Sequence, residues 1–173
     1  MAGHGALVIG GSRGIGRAIA RRLAADGAAV VLTYRAQSEA AETVVKEIAE
    51  HNGHACAAQL DVAKPDQVDS AFSAADEFFR KVGVGLDVLV VNAGTFANST
   101  ISTVGTHLPS PGESVYAASK AAVEQVARVA SRELGHRGIT ANTISLGPTD
   151  TDLLRAGAQP GAVEGAASMT PST

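Results

Sequence analysis

Apolar runs of strand length alternate along this chain with segments of helical period. Ala6, Leu7, Val8 and Ile9 form an uninterrupted apolar run, the pattern of a strand buried on both faces. After a glycine-rich turn, residues 15–26 read as a helix with Ile15, Ala18, Ile19 and Leu23 on its inner face. Residues 29–33 read as a second strand. Ser38 is placed to cap a helix running to 51, whose Ala41, Val44, Val45 and Ile48 fall at i, i+3, i+4 and i+7, and Asn52-Gly53 ends it. A third strand is predicted over 54–60. Pro65 then suits the first turn of a helix that turns Val68, Ala71, Phe72, Ala75, Phe79 and Val82 inward, and 86–91 makes a fourth strand. Strands apolar on both faces and separated by helices predict a parallel sheet in the order 3-2-1-4, covered on both sides.

Beyond Gly94 the pattern is less regular. Residues 100–104 could form a short strand, 114–136 a helix and 139–146 a further strand, with an irregular junction over 93–113. The fold class this implies is a single doubly wound α/β domain over 1–155. The stretch 156–173 is rich in Ala, Gly, Pro, Ser and Thr and is expected to be a poorly ordered tail.

Composition narrows the function. The chain has 173 residues, 45% hydrophobic and 18% charged, enough to bury one core. A net charge of -3 gives no electrostatic footing for a phosphate backbone, so nucleic acid is not an expected partner. The single cysteine, Cys56, lies in a predicted strand and supports neither a disulfide framework nor a thiolate metal site. The five histidines show no ligand-like spacing, so no metal is expected. No apolar run approaches ~18 residues and no apolar leader precedes the first strand, so the expected protein is cytoplasmic and makes no membrane contact.

Gly10-Gly11-Ser12-Arg13-Gly14-Ile15-Gly16 lies between the first strand and the first helix. Glycines there permit a tight turn and let the backbone approach a pyrophosphate, which the helix N-terminus then attracts. An acidic residue about 20 positions on would select NAD by binding its ribose hydroxyls. Here the second strand ends Thr33-Tyr34-Arg35, with no carboxylate before Glu39. Arg35 and Arg13 suit a 2′-phosphate instead, so NADP(H) is favoured over NAD(H). The other arginines of the first helix, Arg17 and Arg21, read as a solvated face.

Tyr116 and Lys120 stand four residues apart on one helix face. A phenol has a pKa near 10, and a neighbouring ammonium stabilises phenolate and brings it toward the working range. The glycine turn, Asp61-Val62, Asn92-Ala93-Gly94, the Tyr116–Lys120 pair and the stretch 142–151 follow one another in an order that closely resembles the short-chain dehydrogenase/reductase family, over residues 6 to about 155. The resemblance implies a Rossmann-type fold and reversible hydride transfer between NADP(H) and a small-molecule carbonyl or alcohol. It implies that Gly10, Gly14 and Gly16, with Ser12, Arg13 and Ile15 of the same turn, hold the pyrophosphate side, and that Asp61 and Val62 meet the adenine. Asn92, Ala93 and Gly94 would support the sheet edge beside the cofactor, and Gly147 and Thr151 would lie near the nicotinamide. Tyr116 would be the acid/base. Lys120 would bind the nicotinamide ribose and lower the Tyr116 pKa. The carbonyl-binding hydroxyl is open between two residues: the commoner spacing gives Thr103, while serine chemistry and a slightly longer loop favour Ser102.

Departures from the family pattern are also legible. Ile9 stands where the family usually has Thr and Leu146 where it has Pro, and the family's catalytic asparagine on the helix after the fourth strand has no counterpart. Gly94 and Tyr116 are only 22 positions apart, and about six residues, 93–98, join the fourth strand to the next. Six extended residues reach at most ~20 Å, whereas a five-residue strand is already about 17 Å long and a parallel crossover takes a dozen residues or more. The helix between these strands is therefore expected to be missing. The next strand must then run antiparallel, stay unpaired, or borrow length from a frayed fourth strand. A family-type C-terminal strand and helix, with their oligomer-interface surface, are likewise not found, and apolar surface should be exposed in consequence. Two readings follow: an NADP(H)-dependent oxidoreductase of weakened activity, and a non-catalytic cofactor-binding remnant.

Overall fold

A computed structural model of the chain describes residues 1–92, 102–103, 114–146 and 149. The chain divides into two compact units, Met1–Ala93 and Gly94–Thr173. The first contains β1 (Gly5–Ile9), α1 (Gly14–Ala25), β2 (Ala29–Tyr34), α2 (Ser38–Glu50), β3 (Ala55–Gln59), α3 (Pro65–Val82) and β4 (Leu86–Val91). Its four strands form one parallel sheet in the predicted order β3-β2-β1-β4.

Successive strand residues face opposite sides, so the apolar runs of β1 and β2 feed two cores. On one side Ala6, Val8, Val30 and Leu32 pack with Ala20 and Ala24 of α1 and Ala41, Val44 and Ile48 of α2. On the other, Leu7, Ile9 and Val31 pack with Ala71, Ala75 and Phe79 of α3. Burying a side chain such as Phe79 stabilises by about 1.5–3 kcal/mol.

The inner face of α1 differs from its expected phase. Ala18 is exposed, and Gly16, Ala20 and Ala24 are the buried positions, with Ile19 and Leu23 partly buried beside them. A row of the smallest side chains at i, i+4 and i+8 lets the helix backbone approach the sheet closely. Ser38 is not a cap but the first helical residue of α2, and no side-chain capping bond is made there. The left-handed residue that ends α2 is Asn52 (φ 60) rather than Gly53, whose N–H closes on Ile48 O at 3.0 Å.

β1 is buried throughout and β2 up to Thr33, with Tyr34 half-buried, but β4 is half-exposed in alternation. Leu89 and Val91 pair in register with Leu7 and Ile9, so they extend the α3 face, where they remain 47% and 43% exposed.

The second unit contains β5 (Ser102–Thr103), α4 (Ser114–Leu134), a 3-10 turn at Gly135–Arg137 and β6 (Ser145–Leu146). β5 pairs in parallel with β6, Ser102 opposite Ser145 and Thr103 opposite Leu146, in a sheet separate from the four-stranded one. β4 keeps its full six-residue length, so it does not fray to lengthen the link. The helix expected to reach 136 stops at Leu134, where a 3-10 turn takes over and Gly138 (φ 74) reverses the chain. Of the strand expected over 139–146, Ser145–Leu146 is the part that forms β6, paired with Ser102 and Thr103. Thr100, Ile101, Val104 and the tail 156–173 lie outside the described residues.

Candidate functional site

The glycine turn is fastened from two strands. Gly10 takes a left-handed conformation (φ 81), open to glycine at little cost. Its N–H donates to Thr33 Oγ1 at 3.0 Å, and its carbonyl accepts from Asn92 Nδ2 at 2.9 Å. The next N–H, on Gly11, donates to Thr33 O at 3.0 Å, and Asn92 N–H donates to Ile9 O at 3.0 Å. Gly16 is buried against this turn, where a Cβ would run into Gly10 O and Asn92 Nδ2, so only glycine fits.

The start of α1 suits a phosphate. Arg13 is extended and no side chain caps the helix, so first-turn N–H groups are left without a side-chain acceptor. Gly14 (φ 53) has nothing within 4 Å of where a Cβ would stand. Ser12 and Ile15 are half-buried and Arg13 is exposed.

The charge pattern beside the turn separates the arginines. Arg17 and Arg21 both pair with Glu47, the latter at 3.6 Å, and Arg22 pairs with Asp26 at 2.9 Å. Among the described residues, Arg13 and Arg35 take part in no ion pair. Arg35 is exposed just past β2, its carbonyl held by Gln59 Nε2 at 3.0 Å. A shallow depression lined by Ala36, Gln37, Ser38, Glu39 and Ala40 follows directly on it.

Past β3, Asp61 folds a turn that leaves Val62 49% exposed, as a hydrophobic contact for a ring would require. Asp61 N–H donates to Gln67 Oε1 at 2.9 Å, and its own Oδ1 accepts from Ala63 N–H at 3.1 Å. Ala93, Gly94, Gly147 and Thr151 lie outside the described residues.

In the second unit, Tyr116 and Lys120 stand near the start of α4 with Lys120 Nζ 5.2 Å from the centroid of the Tyr116 ring. Ser119 Oγ donates to Tyr116 O at 2.7 Å within the same turn. Lys120 is fully buried, and that burial pushes its ammonium down to about 8. β5 consists of Ser102 and Thr103, the two hydroxyl residues weighed in the sequence. Cys56 is no nucleophile: burial first, and the Glu42 carboxylate second, push its thiol up to about 11.

Three residues that brace these features, Thr33, Gln59 and Gln67, were not singled out from the sequence. Thr33 had a signal, a hydroxyl inside the otherwise apolar run Ala29-Val30-Val31-Leu32. The glutamines had none, since their role depends on backbone groups of neighbouring turns.

Residues 4–103 match a family model described as short chain dehydrogenase, and residues 98–172 match one described as enoyl-(acyl carrier protein) reductase. The chain is 33% identical to an NADPH-dependent aldehyde reductase-like chloroplastic protein of Arabidopsis thaliana, over 99% of this chain and 82% of that protein. That alignment spans 223 residues against a chain of 173, so at least 50 positions of the relative have no counterpart here. Identity is 32% to a 3-oxoacyl-[acyl-carrier-protein] reductase of Synechocystis sp., over 86% of this chain and 75% of the relative. Among solved structures, an angucycline C-6 ketoreductase, LanV, with bound NADP is similar at a TM-score of 0.85 and 30% identity, over 95% of this chain and 80% of that one.

Proposed function

Because the chain belongs to the short-chain dehydrogenase/reductase family, we propose that it binds NADP(H) on the glycine turn and interconverts a small-molecule carbonyl and an alcohol, at a rate well below that of an ordinary enzyme. The observation that carries this reading is the pairing of Tyr116 with a buried Lys120 on one face of α4. In the reducing direction NADPH, held by the glycine turn, would supply the hydride that the carbonyl carbon takes up. Tyr116 donates its hydroxyl proton to the carbonyl oxygen, and the Lys120 ammonium stabilises the phenolate that remains. A hydroxyl from Ser102 or Thr103 would hydrogen-bond the same oxygen.

The cofactor half rests on the uncapped start of α1, the close fit at Gly16 and two guanidiniums, Arg13 and Arg35, that make no ion pair among the described residues. These last support a 2′-phosphate and hence NADP(H) over NAD(H). The NADPH-dependent relative and the NADP-bound ketoreductase point the same way.

A second reading, a cofactor-binding remnant without turnover, is favoured by the 50 or more positions that this chain lacks. NADPH oxidation measured with a panel of aldehydes and ketones, beside a fluorescence titration of NADPH, separates the two. Slow turnover abolished by Tyr116→Phe supports the oxidoreductase. Binding without turnover supports the remnant, and absence of binding overturns both.

A further inference from the structure

We infer that Thr33 is a positioning residue for the cofactor, its buried hydroxyl locking the glycine turn in the form that receives a pyrophosphate. The inference rests on the cofactor reading above and adds to it a residue outside the glycine motif. Thr33 is 1% exposed and sits at the end of β2, next to β1 in the sheet. Its Oγ1 accepts the Gly10 N–H and its carbonyl accepts the Gly11 N–H, both at 3.0 Å. Asn92 Nδ2 holds the carbonyl of the same Gly10 from the β4 side at 2.9 Å. The N–H and the carbonyl of one glycine are thus held by side chains from β2 and from the residue that follows β4, on either side of β1.

A glycine in the left-handed region has more freedom than any other residue, and a turn built from several would be mobile unless fastened. With the Gly10 and Gly11 N–H groups committed to Thr33, the first-turn N–H groups of α1 are the ones left for a ligand. Without the hydroxyl, the Gly10 N–H loses its acceptor in a partly buried position. The turn then relaxes to hydrate that group, and cofactor binding must restore it. Thr33 also precedes Arg35 by two residues on the same strand end, but it acts on the part of the cofactor that NADPH and NADH share.

The test is titration of NADPH and of NADH against the full chain and its Thr33→Val and Thr33→Ser variants, each checked by thermal melting. Thr33→Val, of equal shape without the hydroxyl, should weaken both cofactors by the same factor, about tenfold, leaving their ratio unchanged. Thr33→Ser keeps the hydroxyl and should bind within about threefold of the unaltered chain. Thr33→Val binding as tightly as the unaltered chain overturns the inference and leaves the cofactor reading standing. So does Thr33→Ser losing about tenfold, an outcome that remains decisive if Thr33→Val does not fold. No binding of either cofactor by the unaltered chain overturns the cofactor reading and this inference together.

Discussion

Arg13 and Arg35 carry charges that no described carboxylate neutralises, whereas Arg17, Arg21 and Arg22 spend theirs on Glu47 and Asp26. Under the proposed reading NADPH should bind at least ~10-fold more tightly than NADH, about one charge-assisted contact. Arg35→Asp should erase that preference in a titration of the two cofactors. Lys120 makes a second prediction, because its pKa of about 8 lies below the ~10.4 of an unfolded lysine. Between those values the unfolded chain binds more protons than the folded one, so stability rises with pH from about 8 toward 10. Under the proposed reading turnover should move oppositely over the same range, as the Lys120 ammonium proposed to support Tyr116 is lost. Thermal melting and rate profiles from pH 7 to about 10 should therefore diverge, and Lys120→Met should remove the rise in stability.

At the scale of elements, the first unit was legible because its strands are continuous apolar runs and α2 and α3 keep a clean helical stripe. Sheet order, helix placement and the role of Pro65 at the head of α3 all follow from that pattern. Three features escaped it. The phase of α1 is set by how closely Gly16 and Ala20 approach the sheet, which periodicity does not report. The strand read over 139–146 needs a partner ladder as well as an apolar run, and among the described residues the pairing with β5 covers Ser145 and Leu146. Asn52, not Gly53, takes the left-handed turn after α2, although the dipeptide correctly marked the end of the helix. The motif residues of the candidate site stand out in the sequence and Thr33 left a faint signal in its hydroxyl, but Gln59 left none, since its side chain holds a backbone carbonyl. At φ 60 Asn52 pays a cost that glycine avoids, so Asn52→Gly should leave the fold intact and change stability by less than about 1 kcal/mol, toward stabilisation. Denaturant midpoints at constant slope would measure it.

For the molecule as a whole, under the proposed reading the short link after β4 is what limits catalysis. A family enzyme delivers its tyrosine through a crossover of a dozen residues or more, and this chain has ten positions, 92–101, between β4 and β5. Misplacement of a reacting group by ~1 Å can cost about 100-fold. Inserting a family crossover helix between Gly94 and Ser102 should therefore raise carbonyl-dependent NADPH oxidation by about that factor. Turnover by the unaltered chain at ~1–10³ s⁻¹ would show the geometry argument to be wrong. The position of β1 has a consequence for synthesis. It is made before the other three strands of its sheet, yet it lies between β2 and β4, and its Gly5 N–H ends on Asp87 Oδ2, 82 residues later. On a ribosome adding about 5–20 residues per second, one side of β1 waits roughly 4–16 s for its neighbour. During that interval the backbone edge of Gly5–Ile9 that β4 will occupy is open to any extended segment of a neighbouring nascent chain. The window for misassembly is thus set by strand order, and speeding or slowing translation across residues 35–85 should change the yield of soluble protein.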